Sequence, residues 1–318
     1  MSGRNPRVAV VGGTYVDMAL RCSQAPSPGQ SVSGSVLSYT TAGPGPLHAI
    51  EAALCGCGVH LIGKVGGDPF AQIVRASLAE FNVNAEFVST AEAMNTGVIV
   101  TLVNAEGENA DCFCPGANSA LLPQDISAAE RVIADANVCL IHGRLPQEAI
   151  ISALRCAELY GVKVILNPAR PLERGQESGD LPIEYFSADL LICNLYEAAD
   201  ITEQSAAGIR TAKLIGSDLV ARGVNNVVIT MGKRGCLVVD RNNADHVPAF
   251  EIETVDNTGR GYAFAGALAA YLAVKRDIRG AVQFASAAGA LACTKFGSIE
   301  ALPARADIIE LLQKTDIE

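Results

Sequence analysis

The stretch with the most chemical content is a polar turn that leads into an apolar segment. Residues 256–262 read Asp-Asn-Thr-Gly-Arg-Gly-Tyr, and an apolar stretch with helical character, 263–274, follows directly. Glycines at the entry of a helix let backbone N–H groups converge on one point, where the helix dipole adds partial positive charge. The pattern predicts a phosphate-binding turn, although a glycine pair before a helix is also an ordinary helix N-terminus.

Polar residues also follow short apolar runs in the second half of the chain. Strands are predicted at 137–142, 163–166, 190–193, 227–230 and 236–239, with helical segments among them. This alternation predicts parallel βαβ units and a doubly wound, mostly parallel sheet. Ligands of such sheets bind at the carboxyl ends of the strands. The polar residues at those ends are His142, Arg144, Asn167, Asn194, Glu197, Thr230 and Lys233.

The first half predicts one further strand of the main sheet and a small separate sheet. Residues 7–12 are a continuous apolar run typical of a buried parallel strand, and Asp17 follows in a predicted loop. Residues 31–41 predict an exposed strand, and 96–114 predict a β-hairpin. We expect these two segments to pair as a small second sheet. The whole chain, 1–318, is predicted to form a single α/β domain.

The composition limits the class of protein. About half of the 318 residues are hydrophobic, which is enough for a sizeable core. A net charge of −10 argues against nucleic acid as a partner, and no apolar run reaches the roughly 18–20 residues that cross a bilayer. The ten cysteines are scattered, which is typical of free thiols in a reducing compartment. We therefore expect a cytoplasmic protein that uses neither nucleic acid nor a membrane.

The order of these motifs resembles the ribokinase/PfkB carbohydrate kinases over nearly the whole chain, which implies a three-layer fold of that kind. The family signature reads Asp-Thr-x-Gly-Ala-Gly-Asp, then an aromatic residue and a glycine. In the family the last Asp is the general base, and the Gly-Ala-Gly backbone stabilises the transferred phosphoryl group. Here Gly259, Arg260 and Gly261 stand at the backbone positions, and Tyr262 stands at the base position. The shared residues are Asp256, Gly259, Gly261, Phe264 and Gly266.

The resemblance assigns ATP and Mg²⁺ binding to the second half of the chain. The Asn-x-x-Glu motif, Asn194 to Glu197, would organise Mg²⁺ and phosphate, with Glu197 acting through water. The residues that the resemblance places at the nucleotide are Asn194, Glu197, Thr230, Gly232, Lys233, Gly235 and Ser286. Residues 167–170, Asn-Pro-Ala-Arg, also match the family.

The sugar-binding half of the resemblance is only partly kept. Asp17, Gly43 and Gly45 match positions that contact the sugar in the family. Arg144 stands where ribokinases carry an acidic residue. Tyr15 and Leu47 replace two sugar-binding asparagines, and a shift of one residue in the alignment would put His48 at the second. Because arginine is the residue best suited to carboxylate and phosphate, Arg144 and Arg260 favour an anionic ligand.

The replacement at position 262 defines the functional alternatives. A tyrosine phenol with a pKa near 10 is a poor proton acceptor at neutral pH, whereas an aspartate near 4 is a good one. The first hypothesis is an impaired or non-catalytic homologue that retains nucleotide binding. The second is an active ATP-dependent kinase that uses another base on an unusual, including an anionic, sugar-like substrate. A purely structural oligomer is the third. The family also suggests a homodimer formed through the small sheet, which would act as a lid over the site.

Overall fold

A computed structural model describes residues 5–104, 109–169 and 181–315, and within them two β-sheets and the helices that pack on the larger sheet. The strands are β1 (Arg7–Val11), β2 (Tyr15–Cys22), β3 (Gly34–Ala42), β4 (Gly58–Gly66), β5 (Val83–Asn84), β6 (Val88–Ala91), β7 (Gly97–Val103), β8 (Asn109–Cys114), β9 (Val138–His142), β10 (Lys163–Asn167), β11 (Leu190–Asn194), β12 (Asn226–Thr230), β13 (Cys236–Val239) and β14 (Ala244–Val247). The helices are α1 (Pro44–Leu54), α2 (Pro69–Glu80), α3 (Pro123–Ala128), α4 (Glu130–Ala134), α5 (Gln147–Leu159), α6 (Leu195–Ile201), α7 (Ile209–Ala221), α8 (Arg260–Val274), α9 (Ile278–Ala292) and α10 (Arg305–Thr315).

The larger sheet has the order β14-β13-β12-β11-β10-β9-β1-β4-β5, with β6 also paired to β4. The pairs from β12 to β4 are parallel, and β13 and β14 add an antiparallel edge. The predicted doubly wound, mostly parallel sheet is therefore confirmed. Because the central strands run in one direction, the residues that follow them meet at a single carboxyl edge.

Both faces of this sheet are covered by helices. In β1 the side chains of Val8 and Val10 enter a core shared with α1, α8 and α9. Ala9 and Val11 point to the opposite face and pack with residues of α3, α4 and α5. Farther along that second face, α6 and α7 cover the strands that precede the predicted nucleotide loop. This alternation explains why the strands read as continuous apolar runs, since each is buried on two sides.

The smaller sheet has the order β3-β2-β7-β8 and corrects one prediction. The two predicted segments do pair in it, but β2 lies between them, hydrogen-bonded to β3 on one side and β7 on the other. Asp17 is therefore in a strand and not in a loop. It faces Thr101 of β7, whose hydroxyl donates a hydrogen bond of 2.8 Å to the carboxylate. The loop residues 105–108 of the predicted hairpin lie outside the described residues, as does Arg170.

The sequence predicts a helix over 126–135, and the structure has two short helices there. The first, α3, ends at Ala128, and α4 begins at Glu130. The carbonyl of Ala129 between them accepts hydrogen bonds from the N–H groups of Val132 and Ile133. No helix in the described ranges is long and apolar enough to span a membrane.

Candidate active site

The N-terminus of α8 is open on the side where an anion would approach. Gly259 precedes the helix with a left-handed φ of 80°, and no side chain caps the first turn. The N–H groups of Arg260 and Gly261 make no hydrogen bond to another described residue. A side-chain carbon added at Gly261 would meet nothing within 4 Å. Free N–H groups at the positive end of a 15-residue helix form an anion site.

The carboxylate of Asp256 holds the turn before α8 in shape. One oxygen accepts the N–H of Thr258 at 2.9 Å, and the other accepts the N–H of Gly297 at 3.2 Å. These bonds link the turn to the segment after α9, because Gly297 follows that helix. The shared family residue Asp256 therefore has a positioning role in this structure.

Arg260 extends from the start of α8 toward the turn after β12. Its Nη1 lies 3.5 Å from Oδ1 of Asn257. The same atom would lie 3.8 Å from a side-chain carbon placed on Gly232, so the guanidinium reaches that turn. Its positive charge is also felt by the thiols of Cys236 and Cys293, whose pKa values burial raises and Arg260 lowers. The guanidinium thus adds positive charge between the α8 turn and the predicted nucleotide loop.

The predicted nucleotide loop is a 3₁₀ turn over Gly232–Arg234 that joins β12 to β13. Gly232 and Lys233 are exposed, and Gly232 has a φ of 63°, which favours glycine. Gly235 has a different task, because a side-chain carbon there would lie 2.1 Å from the carbonyl oxygen of Val247. Gly235 is therefore needed for the close approach of this turn to the end of β14.

Two further predicted nucleotide residues lie beside this loop. Thr230 ends β12, pairs in register with Asn194 of β11, and its hydroxyl donates weakly to the carbonyl of Cys193 at 3.5 Å. Ser286 lies on α9, and its hydroxyl is 3.7 Å from the sulfur of Cys236, the first residue of β13. The structure thus brings α9, β12 and β13 together on the side of the sheet where Arg260 lies.

Asn194 and Glu197 cap α6 reciprocally. The Asn194 Oδ1 accepts the N–H groups of Tyr196 and Glu197, and Glu197 Oε2 accepts the N–H of Asn194 at 3.0 Å. The Asn-x-x-Glu spacing at a helix start also suits a capping box, and the structure shows one. A single carboxylate still suits Mg²⁺, which is commonly held by one or two carboxylates, several waters and the phosphates of a substrate. Asn194 and Glu197 therefore fit Mg²⁺ only if phosphate supplies further oxygens.

The capping box gives a stability prediction. Asn194→Ala removes the acceptor of two N–H groups, so the free energy of unfolding should fall by about 1 kcal/mol. Urea unfolding followed by circular dichroism measures this change. Asn194→Ser keeps a capping oxygen and should stay close to the wild type. Equal losses in both variants would show that the amide itself, and not the cap, stabilises this part of the protein.

The two predicted sugar-binding glycines are packing positions. A side-chain carbon on Gly45 would lie 2.5 Å from the carbonyl oxygen of Gly12. One on Gly43 would lie 2.4 Å from the ring of Tyr15, and Gly97 holds the opposite edge of that ring. The Tyr15 ring is buried between these glycines. It thus fills the space beside the Cα of Gly43.

Arg144 lies where the second sheet meets the carboxyl edge of the larger sheet. Its guanidinium carbon is 5.0 Å from the centre of the Phe113 ring of β8, a cation–π contact. The Phe113 ring in turn packs edge-on against Tyr15 at 6.4 Å. The backbone N–H of Arg144 donates a hydrogen bond of 3.2 Å to Nδ1 of the His142 ring. Arg144 therefore joins three elements that are far apart in the sequence.

Tyr262 lies in the first turn of α8 and packs against a buried histidine. The ring centres of Tyr262 and His48 are 5.5 Å apart, and those of His48 and His142 are 5.7 Å apart. Burial lowers the pKa of His48 to about 3 and that of His142 well below its usual value, so both imidazoles are neutral at pH 7. Burial also raises the pKa of Tyr262, against an opposing contribution from the charge of Arg144.

The sequence did not identify Phe113 as part of this site, and it placed His48 there only if the alignment were shifted. The sequence holds part of the information that places Phe113 in this site. Tyr15, Ile99 and Phe113 fall on one face of the second sheet once its register is known. That register depends on β2, where the sequence predicts a loop.

An open helix N-terminus thus lies at the carboxyl edge of a doubly wound α/β sheet and is bordered by a second small sheet. Residues 5–305 match the family model described as pfkB family carbohydrate kinase. The chain therefore belongs to the pfkB family of carbohydrate kinases.

Individual relatives agree with this assignment. Mouse ribokinase is 31% identical over 269 residues, which cover 84% of this chain and 81% of that protein. The deoxyribokinase of Salmonella typhi is 28% identical over 297 residues, which cover 93% and 95% of the two chains. The solved structure of Arabidopsis thaliana ribokinase with ribose and ATP superposes with a TM-score of 0.88, at 22% identity and covering 98% and 99% of the two chains. This last likeness shows the shared fold.

Proposed function

We propose that this chain is a pfkB-family protein that binds a nucleotide at the N-terminus of α8 but transfers phosphate to neutral sugars poorly. The observation that carries the proposal is the phenol of Tyr262 at the position that the family motif gives to the general base. Its raised pKa keeps the proton on the oxygen at pH 7, so it cannot accept one from a sugar hydroxyl. Loss of a general base typically costs about 10²–10⁴ in rate.

Nucleotide binding is supported by the free N–H groups of the α8 turn and by the guanidinium of Arg260. Arabidopsis ribokinase has been solved with ATP, and a putative ribokinase II from E. coli with ATP and Mg²⁺. By analogy we assign ATP to the region bordered by the α8 turn, Gly232 and α9. Glu197, with Asn194, would hold Mg²⁺ through water, and the ion when bound would neutralise part of the phosphate charge.

The test combines calorimetry with an assay of ADP release. We expect heat on titration with ATP, and turnover with ribose or deoxyribose below about 1 s⁻¹, the lower end of ordinary enzyme rates. Tyr262→Asp combined with Arg260→Ala rebuilds the family turn and should still bind ATP through the free N–H groups, but less tightly because the guanidinium is lost. Rapid turnover of either sugar by the unmodified protein would refute the impaired-kinase proposal, and the absence of any ATP heat at millimolar concentrations would refute nucleotide binding.

A second candidate function is an active ATP-dependent kinase whose substrate is an anionic, sugar-like molecule and whose base is another group. The observation that favours it is Arg144, whose Nε is enclosed and has no hydrogen-bond partner. ADP release that appears only with acidic sugars would support this function over the first.

A further inference from the structure

Several polar atoms beside Tyr262 are enclosed without a hydrogen-bond partner. They are the hydroxyl of Tyr15, both ring nitrogens of His48 and the Nε of Arg144. Tyr15 and His48 are almost completely buried, at 1% and 0% exposure. A buried polar group without a partner costs free energy in the folded protein. Such a concentration of unsatisfied buried atoms needs partners from outside the described side chains, such as a bound ion or water.

These atoms belong to one connected group of side chains, which we call the aromatic–arginine cluster. Its members are Tyr15, His48, His142, Arg144 and Tyr262. Ring contacts join Tyr262 to His48 and His48 to His142, and the backbone N–H of Arg144 donates to His142. The Phe113 ring contacts both Tyr15 and the Arg144 guanidinium, which connects these two side chains. The charge of Arg144 acts on both phenols. The members come from β2, α1, the end of β9 and the start of α8, so the cluster exists only in the folded chain.

The cluster offers mainly hydrogen-bond donors and a positive charge. Both phenols keep their protons, since burial raises the pKa of Tyr15 to about 12 and also raises that of Tyr262. Because Nδ1 of His142 accepts the N–H of Arg144, a neutral His142 carries its proton on Nε2. Arg144 therefore holds the formal charge of the five side chains. Glu197 and Asp111 also act on Tyr262, but less strongly than Arg144 does.

This chemistry selects an acceptor-rich ligand group. A neutral sugar hydroxyl can hydrogen-bond to the phenols and to His48, but it leaves the positive charge of Arg144 without a counter-charge. A carboxylate or phosphate accepts only, and arginine binds both in charge-assisted hydrogen bonds. The Tyr15 ring also occupies the space beside Gly43, which restricts the volume left for a sugar ring.

We propose that the aromatic–arginine cluster binds the carboxylate or phosphate group of a small sugar-derived anion. The inference rests on the proposed function in one respect, namely that the cluster occupies the acceptor side of a pfkB-family site. It specifies the class of ligand whether or not phosphoryl transfer follows.

Calorimetry with pairs of compounds that differ in one charged group tests the proposal. D-Gluconate is compared with D-glucitol, and ribose 5-phosphate with ribose, at constant ionic strength. Inorganic phosphate alone shows whether the anionic group suffices. One charge-assisted hydrogen bond contributes about 1.5–3 kcal/mol, so at least one anion should bind at least about tenfold more tightly than its neutral partner. The pair in which the anion binds more tightly than its neutral partner shows whether the site prefers carboxylate or phosphate.

Two variants of the cluster and one control variant separate ligand binding from structural support. Arg144→Gln should abolish the preference for the anion, whereas Arg131→Gln, on the exposed side of α4, makes the same change of charge and should keep it. Tyr15→Phe retains the buried ring and removes only the unsatisfied hydroxyl. It should weaken anion binding several-fold and raise the melting temperature, a combination that a purely structural hydroxyl would not give.

Equal affinity for charged and neutral partners, or no binding of any anion up to about 10 mM, would overturn the proposal. So would an unchanged anion preference in Arg144→Gln. These outcomes are independent of the ATP titration and the ribose assay. A protein that binds ATP and ignores all anions would contradict the ligand assignment alone. One that selects anions yet phosphorylates ribose rapidly would contradict the impaired-kinase proposal alone.

Discussion

Gly261→Asp is expected to lower the affinity for ATP by at least about 100-fold without unfolding the protein. The substitution places a carboxylate beside the free N–H groups of the α8 turn, where the phosphates are assigned. Two unit charges about 4 Å apart near a protein surface repel by about 4 kcal/mol, which exceeds the free energy of a 100-fold change. The fold should tolerate the side chain, because nothing lies within 4 Å of the added carbon. A negative charge at a helix N-terminus also stabilises the helix.

Two matched variants make the result specific to charge at this turn. Gly261→Ala fills the same space without charge and should reduce ATP affinity far less. Ala306→Asp adds the same charge to the second residue of α10, as position 261 is the second residue of α8. It should leave ATP affinity unchanged. Titration calorimetry gives the affinities and thermal unfolding checks the fold. An undiminished affinity in Gly261→Asp would place the nucleotide elsewhere.

The central sheet could be predicted because its strands are buried on both faces. Such strands appear as short apolar runs, as in β1 and β12, and the helical segments between them fix the parallel direction. The strand β2 was missed for a physical reason as well. It belongs to a sheet with one partly exposed face, so Asp17 and Arg21 interrupt its apolar pattern. The pairing of β2 with β7 also joins residues about 80 positions apart, which local sequence does not encode.

The candidate site was predictable at the ends of the strands and not in its contacts. His142, Asn194 and Thr230 lie at the carboxyl edge, as the βαβ pattern required. The side chain of Asn194 caps α6. The sequence is compatible with this capping role and with a ligand-binding role, and it does not decide between them. The contact of Arg144 with Phe113 depends on how the second sheet meets the first. Only the three-dimensional structure contains that information.

The buried carboxyl of Glu51 leads to the second large expected effect. Glu51 lies on α1, one turn after His48, with 0% exposure. Its Oε1 accepts a weak hydrogen bond from the Cys55 thiol, and its Oε2 has no partner. Gly266 of α8 packs against its Cβ and Cγ. Burial raises the pKa of Glu51 well above its usual value of 4.5, so the folded protein keeps this carboxyl protonated at pH values where the unfolded chain ionises it.

The raised pKa fixes the sign of the pH dependence. Below about pH 4.5 both states hold the proton, and Glu51 causes no loss of stability by ionisation. As the pH rises above that value, the unfolded chain releases its proton while the folded chain retains it. Stability then falls by up to about 1.4 kcal/mol per pH unit until the folded-state pKa is reached. Glu51→Met keeps Cβ and Cγ, removes the titrating group and should abolish this slope.

We therefore expect Glu51→Met to be more stable than the wild type at neutral pH, with an advantage that shrinks as the solution is made acidic. Urea unfolding across the range from about pH 5 to pH 7 measures it, since the midpoint shifts while the denaturant slope stays constant. Glu80→Met changes an exposed glutamate at the end of α2 and is the matched control, expected to follow the wild-type profile. Parallel profiles for Glu51→Met and the wild type would mean that the carboxyl ionises inside the fold. In that case a partner of its second oxygen, such as a buried water, stabilises the charge at the α1–α8 contact.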